Sequence, residues 1–256
     1  MYSDAFCKVY NEFGWNYFPE AFGEELMIWI RQNQVDIKTS LDLACGTGIL
    51  CEVMHRNGIR AAGMDFSEGM IEIAKKRNPE IDYEVADMVT YRPDKNFDLV
   101  TCTGDALNHI IDLKHVEQIF RNVYGYLSEG GYFIFDILNE KEVSFGEPID
   151  LDFSETVKAQ FMITQDQAGI ISLRTKVYER AAEHAAVSDD AVIVNFEDSE
   201  VKWQLQFEEI ITETVHNVDT VLAMLRGCGF HILKCGHNLL DERADQAATW
   251  YIIAQK

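Results

Sequence analysis

The stretch Leu41-Asp42-Leu43-Ala44-Cys45-Gly46-Thr47-Gly48 decides how the rest of the chain is read. It is a short apolar run ending in a turn with two glycines, and Ile49, Leu50, Val53 and Met54 follow at helical spacing. A strand that enters a glycine turn and opens a helix brings bare backbone amides close to a ligand. Gly46 and Gly48 lack a Cβ and can take positive φ, so a flat or charged group can come near. Asp42 stands just before the turn, where a carboxylate would repel a pyrophosphate and favour a cation. The pattern points away from a dinucleotide and toward a ligand with a positive centre.

Downstream, Arg60-Ala61-Ala62-Gly63-Met64-Asp65 reads as a second buried strand with a carboxylate at its end. Asp65 lies 17 residues after Gly48. That is close to the ~20-residue offset at which an acid meets a ribose diol in strand–helix–strand sites. Ser67 reads as the N-cap of a helix with Met70, Ile71 and Ala74 on one face. A third strand, Ile81–Ala86, ends in Asp87-Met88, and a fourth, Phe97–Cys102, ends in Thr103-Gly104-Asp105. Successive strands thus deliver acids or glycines to one edge, the carboxyl edge where open α/β sheets bind ligands.

These motifs resemble those of the class I S-adenosylmethionine-dependent methyltransferases, in particular the bacterial small-molecule N-methyltransferases. Asp42–Gly48 is similar to the family's first motif, Asn96-Phe97-Asp98-Leu99-Val100 to its fourth-strand motif, and Leu127–Asp136 to its L-x-x-G-G turn into strand five. The match runs in order over roughly residues 36–138. Ala44 stands where many members have glycine. The resemblance implies S-adenosylmethionine as cofactor. Asp42 would face its ammonium, with Ala44, Gly46 and Gly48 forming the loop and Asp65 accepting from the ribose diol. Phe66 follows Asp65, Asp87 and Met88 would hold the adenine, and Thr103 ends the fourth strand. Tyr10 or Trp15 would be cofactor neighbours from the N-terminal helices. Thr103–His109 resembles a D-S-L-N-Y/H stretch, which makes Asp105, Asn108 and His109 the catalytic candidates, against a reading of Asn108 and His109 as helix-capping residues. His216 is a second histidine candidate, with helix entry as the simpler role.

Composition bounds the partners. Lys+Arg 22 against Asp+Glu 43 leaves a net charge of −21, which repels phosphate backbones and argues against nucleic acid. The six cysteines include no CxxC pair and no zinc spacing, so no metal is expected, and reduced buried thiols suit a cytoplasmic protein. The N-terminal residues lack the pattern of a signal peptide, and no apolar run approaches the ~20 residues of a membrane span. The expected partner is a small-molecule acceptor, and the expected assembly a monomer or homodimer.

The fold expected is α/β: a Rossmann-like doubly wound sheet, mostly parallel with an antiparallel last strand, plus an inserted antiparallel β-meander lid. Residues 1–35 read as an N-terminal helical cap rich in aromatics. Residues 36–138 and 217–256 form the cofactor-binding domain. Residues 139–216 alternate polar with apolar, as in Lys202-Trp203-Gln204-Leu205-Gln206-Phe207, and read as an inserted sheet that closes the acceptor pocket. The function expected is methyl transfer to a nitrogen or oxygen of a small molecule. An RNA-modifying methyltransferase and a non-catalytic S-adenosylmethionine-binding subunit are the alternatives; an NAD-dependent oxidoreductase would need G-x-G-x-x-G, which is missing here.

Overall fold

Alternate residues of the central strands pack into different cores, which is why the sequence supports a sheet buried on both faces. Val100, Phe133, Phe135, Ile252 and Ala254 belong to one apolar cluster, while Leu99, Ile134 and Ile253 belong to another. The computed structural model describes residues 2–139, 145–181, 192–194, 196, 201–240 and 249–256.

The order begins with α1 (Asp4–Val9), α2 (Tyr17–Gln32), β1 (Thr39–Leu43), α3 (Ile49–Arg56), β2 (Arg60–Asp65), α4 (Glu68–Arg77) and β3 (Asp82–Val85). Then come β4 (Phe97–Cys102), a 3₁₀ turn (Ala106–His109), α5 (Leu113–Tyr126) and β5 (Leu127–Leu138). A second run holds β6 (Ile149–Asp152), β7 (Val157–Gln165), β8 (Ile170–Arg180), β9 (Ile193–Val194) and β10 (Trp203–Thr214). The chain closes with α6 (Val218–Gly227), β11 (His231–Gly236) and β12 (Thr249–Gln255).

By compactness the described residues fall into two units, 14–143 with 213–256 and 2–13 with 144–212. Helix α1 therefore groups with the inserted strands and α2 with the large sheet, which divides the segment 1–35.

The larger unit is a seven-stranded sheet in the order β11-β12-β5-β4-β1-β2-β3. β1, β2, β3, β4 and β5 pair in parallel, and β12 runs antiparallel to both β5 and β11. Residues of α5 and α6 (Val116, Phe120, Val221, Leu225) fill one core and those of α2 and α3 (Leu26, Leu50, Met54) the other. As expected, Ser67 caps α4, accepting from the Met70 amide; Asp112 likewise caps α5, accepting from the Lys114 amide. The chain turns outward to β2 from β1 and to β5 from β4, so the crevice between β1 and β4 is the switch point of the sheet.

The smaller unit is a five-stranded sheet in the order β6-β7-β8-β10-β9, with β6–β7, β7–β8 and β9–β10 antiparallel. Strand β9 is the two residues Ile193–Val194, paired with Gln204 and Trp203 of β10. Buried Glu209 of β10 accepts from the backbone amide and hydroxyl of Ser3, at 3.2 and 2.6 Å, and so fixes the start of α1. Phe13 packs against Phe153 at a tilt of 34°, their ring centres 4.3 Å apart. Lys158 lies over the rings of Phe196 and Trp203, and Trp203 is buried.

Candidate functional site

The loop after β1 alternates its backbone hand: Ala44, Gly46 and Gly48 have φ of +57°, +53° and +79°. Ala44 is thus a side chain in a conformation that glycine takes without strain. Packing behind the loop explains why residue 48 must be glycine, since a Cβ there would lie 2.4 Å from the Tyr83 hydroxyl. That hydroxyl donates to the Gly48 carbonyl at 3.3 Å, and Arg77 Nε donates to the Thr47 carbonyl at 3.2 Å. Two carbonyls of the loop are therefore held by the protein, while a Cβ at Gly46 would meet only open space.

Asp42 is buried near the end of β1 and accepts from the Thr101 hydroxyl at 2.7 Å. Burial pushes its carboxyl up to about 7, against the pull of Thr101 and with a further push from Asp65. Asp65, at the end of β2, is also buried, and each of its oxygens takes a backbone amide: Gly46 at 2.9 Å and Ser67 at 2.8 Å. It thereby joins the glycine loop to the start of α4. Burial raises its pKa while the Ser67 and Gly46 amides hold it down. Each oxygen keeps a further lone pair for a ligand hydroxyl. Asp87 is exposed and accepts from the Val89 amide at 2.8 Å within its own turn. Met88 packs on the large core, and Phe66 is an exposed ring beside the buried Asp65.

After β4 and half-buried Thr103 the chain makes a left-handed turn at Gly104 and Asp105, with φ of +76° and +59°. Asp136, buried in β5, holds this turn by accepting both amides at 3.1 Å. Its carboxyl is raised well above the usual range, by burial first and by Asp105 second. Asp105 itself rises to about 6 through burial and the charge of Glu213, with His109 opposing. Glu213, next to the last residue of β10, lies 3.6 Å from His109 Nε2, and burial pushes it up to about 7.

Asn108 is fully buried and its amide is committed on both sides. Its Nδ2 donates to the Thr214 carbonyl at 2.6 Å and its Oδ1 accepts from the Leu138 amide at 3.0 Å. His216 is buried as well, with Nε2 3.1 Å from the Leu107 carbonyl, and burial lowers its pKa. Both residues act as fasteners of the 3₁₀ turn.

Of the residues expected at the site, Asp42, Ala44, Gly46, Gly48, Asp65, Phe66, Thr103, Asp105 and His109 stand at the carboxyl edge of β1, β2 and β4. Asp87 and Met88 follow β3. Trp15 is half-buried in the larger unit, whereas Tyr10 belongs to the smaller one, its ring near Tyr2 and Phe6. Sequence reading gave no role to Asp136, Glu213 or Phe18. Asp136 was visible as the acid closing the Leu127–Asp136 motif; Glu213 sits in an alternating strand with no motif around it. Phe18 lies beside Gly104, 3.8 Å from where its Cβ would be, and begins a stack through Phe22 to Tyr251, the register partner of Asp136. Among the described residues no cluster of His, Cys, Asp and Glu could hold a metal ion, and no helix is long and apolar enough to cross a membrane.

Residues 41–131 match a family model described as a methyltransferase domain. A curated relative from Saccharopolyspora spinosa is a dTDP-4-amino-2,3,4,6-tetradeoxy-D-glucose N,N-dimethyltransferase, 27% identical over 51% of each chain. A Clostridium acetobutylicum S-adenosylmethionine-dependent methyltransferase structure superposes with a TM-score of 0.75 at 21% identity, covering 91% of this chain and 90% of that one. An S-adenosylmethionine-bound amino pentose methyltransferase from Micromonospora echinaspora gives 0.73 at 16%, covering 100% and 98%. These two similarities establish the fold.

Proposed function

We propose, from the premise that this chain is a class I S-adenosylmethionine-dependent methyltransferase, that it methylates the nitrogen of a small-molecule amine. The observation that carries this reading is the set of poorly solvated carboxylates at one sheet edge: Asp42, Asp65, Asp105, Asp136 and Glu213, all with raised pKa. Carboxylates that resist ionisation in the empty protein gain from a neighbouring cation. Such an edge suits a sulfonium cofactor, and it suits an acceptor that arrives as an ammonium.

The cofactor supplies an electrophilic methyl group. The chain's residues bind and orient. Asp42 attracts the ammonium of the cofactor's amino-acid end, and the Ala44–Gly48 loop offers close backbone approach. Asp65 accepts from the ribose hydroxyls with its remaining lone pairs. Phe66 and Met88 offer apolar surface to the adenine, and Asp87 accepts from its amino group. Thr103 and the Gly104–Asp105 turn would line the cofactor site. An ammonium has no lone pair to attack with, so it must first lose a proton, and His109 accepts it. Asn108 holds the turn that carries His109 and Asp105. The names of the relatives, which include an aminosugar dimethyltransferase, support nitrogen as the acceptor atom.

The test is incubation with methyl-labelled S-adenosylmethionine and matched pairs: glucosamine against glucose, ethanolamine against ethylene glycol, tyramine against 4-ethylphenol. Label passing to amines and not to the paired hydroxyl compounds is expected. Transfer confined to hydroxyl compounds would overturn the reading.

A further inference from the structure

We propose that Glu213 is the positioning residue for His109, fixing the imidazole at the carboxyl edge and balancing the charge it gains when it takes the acceptor's proton. This rests on the N-methylation reading for its catalytic meaning, but not for its geometry.

The geometry is a stitched seam. Leu107, Asn108 and His109 of the 3₁₀ turn meet His216, Thr214 and Glu213 in reverse order. The contacts are 3.1 Å from the Leu107 carbonyl to His216 Nε2, 2.6 Å from Asn108 Nδ2 to the Thr214 carbonyl, and 3.6 Å from His109 Nε2 to Glu213 Oε1. The first two leave little freedom in register. A slip of one residue would bring Thr212 or Thr214 to the imidazole in place of the carboxylate, because successive side chains of a strand point to opposite faces. The turn is held from its other side too, where Asn108 Oδ1 accepts from Leu138 and Asp136 accepts from Gly104 and Asp105. The imidazole therefore rests on a rigid seat with a carboxylate at a fixed place.

Other charges also face the pair. Asp105 acts on both His109 and Glu213 from the turn itself, and Asp65 faces His109 from the end of β2. Asp136 in β5 faces Asp105 in turn. Glu213 lies within ion-pair distance of the imidazole. The proton step balances simply. An N–H bond of the acceptor ammonium breaks and its electron pair stays on nitrogen. The proton forms an N–H bond on the imidazole, and the resulting imidazolium stands beside the Glu213 carboxylate.

The decisive readout is the ring-carbon NMR titration of His109 in the full chain, assigned with His109→Gln. No acceptor is needed. In Glu213→Gln the midpoint should move to lower pH, because the imidazolium loses its counter-charge, and Glu213→Asp should recover part of the shift. An unchanged midpoint in folded Glu213→Gln would overturn the proposal. Should that variant fail to fold, the unaltered protein decides. The side-chain carboxyl carbon of Glu213 and the His109 ring should then show a shared two-step titration. Independent single-step curves would overturn the proposal. With whichever amine accepts label, Glu213→Gln should lower kcat about tenfold with KM little changed, a fraction of what general-base catalysis typically supplies. Amine methylation with an unmoved His109 midpoint would overturn the role of Glu213 and spare the N-methylation reading. A coupled pair in a protein that methylates no amine would overturn that reading and leave the pairing supported.

Discussion

Asp42→Asn should make the cofactor-free protein more stable, and increasingly so as the pH rises. Asp42 is 4% exposed, and its carboxyl is raised from an ordinary 3.8 to about 7. The folded state thus binds a proton that the unfolded state has already lost. The stability contributed by this protonated group is full below an unfolded pKa near 3.8 and is lost as pH rises through about 7. At about 1.4 kcal/mol per pH unit, this raised pKa costs the folded state about 1.5 kcal/mol at pH 5 and about 4 kcal/mol at pH 8. Asparagine keeps an oxygen to accept from Thr101 and carries no charge. Urea unfolding of both proteins at pH 5 and pH 8 should therefore show an advantage for the variant that grows by about 2–3 kcal/mol. Asp65, Asp105, Asp136 and Glu213 titrate in both proteins, so most of their contribution cancels. Calorimetry should show the opposite trend for the ligand, with S-adenosylmethionine bound about tenfold more weakly by the variant at pH 8. A stability gap that is equal at the two pH values would refute the argument that burial, only partly offset by the Thr101 hydroxyl, sets the ionisation of Asp42.

Asp65→Ala should weaken S-adenosylmethionine binding by about 1–3 kcal/mol, since the loss removes charged hydrogen bonds, and it should also lower unfolding stability because the Gly46 and Ser67 amides lose their acceptor. Calorimetry and urea unfolding separate the two effects, and a variant with wild-type values in both would exclude the role. Ala44→Gly should stabilise the protein by about 0.5–1 kcal/mol, the relief of a left-handed alanine less the extra entropy of an unfolded glycine, and no change or a loss in denaturation midpoint would count against it. The strands inserted between β5 and α6 are proposed to set acceptor choice. Phe161→Ala and Phe207→Ala should then alter acceptor turnover more than cofactor affinity. Trp203→Ala should chiefly lower stability, by about 3–5 kcal/mol, because that ring is buried against Lys158 and Phe196. Equal effects of all three on turnover alone would contradict this division.

The larger sheet was legible because its signals are local. Leu41–Gly48, Arg60–Asp65 and Phe97–Asp105 each carry an apolar run and a turn within a few residues, and parallel pairing sends all their ends to one edge. Ser67 announced its helix by capping chemistry together with the apolar face of Met70, Ile71 and Ala74. What stayed hidden depends on long-range placement. The 3₁₀ turn at Ala106–His109 has no period of its own; it exists because Asn108 bridges Leu138 and Thr214, residues 30 and 106 positions away. Glu213 is one acid in an alternating strand, and nothing nearby in sequence says that His109 waits for it. The same holds for the anchoring of α1: Ser3 is tied to Glu209, 206 residues on, inside the smaller unit.

One device recurs through the larger unit and explains the charge of the site. A strand carboxylate takes two backbone amides. Asp98 takes those of Lys38 and Thr39, Asp65 those of Gly46 and Ser67, and Asp136 those of Gly104 and Asp105. At Asp98, near the amino end of β4, burial is opposed by these amides and the Thr39 hydroxyl, and the carboxyl is held below its ordinary value. At Asp65 and Asp136 the same pair of amides is outweighed by deeper burial, with Asp105 adding repulsion at Asp136, so both are raised. The two ends of the sheet thus use one hydrogen-bond arrangement to opposite electrostatic effect. At the amino end it fastens a strand. At the carboxyl edge it also holds carboxyls whose ionisation burial opposes, and the cationic cofactor and acceptor proposed above would favour their charged form.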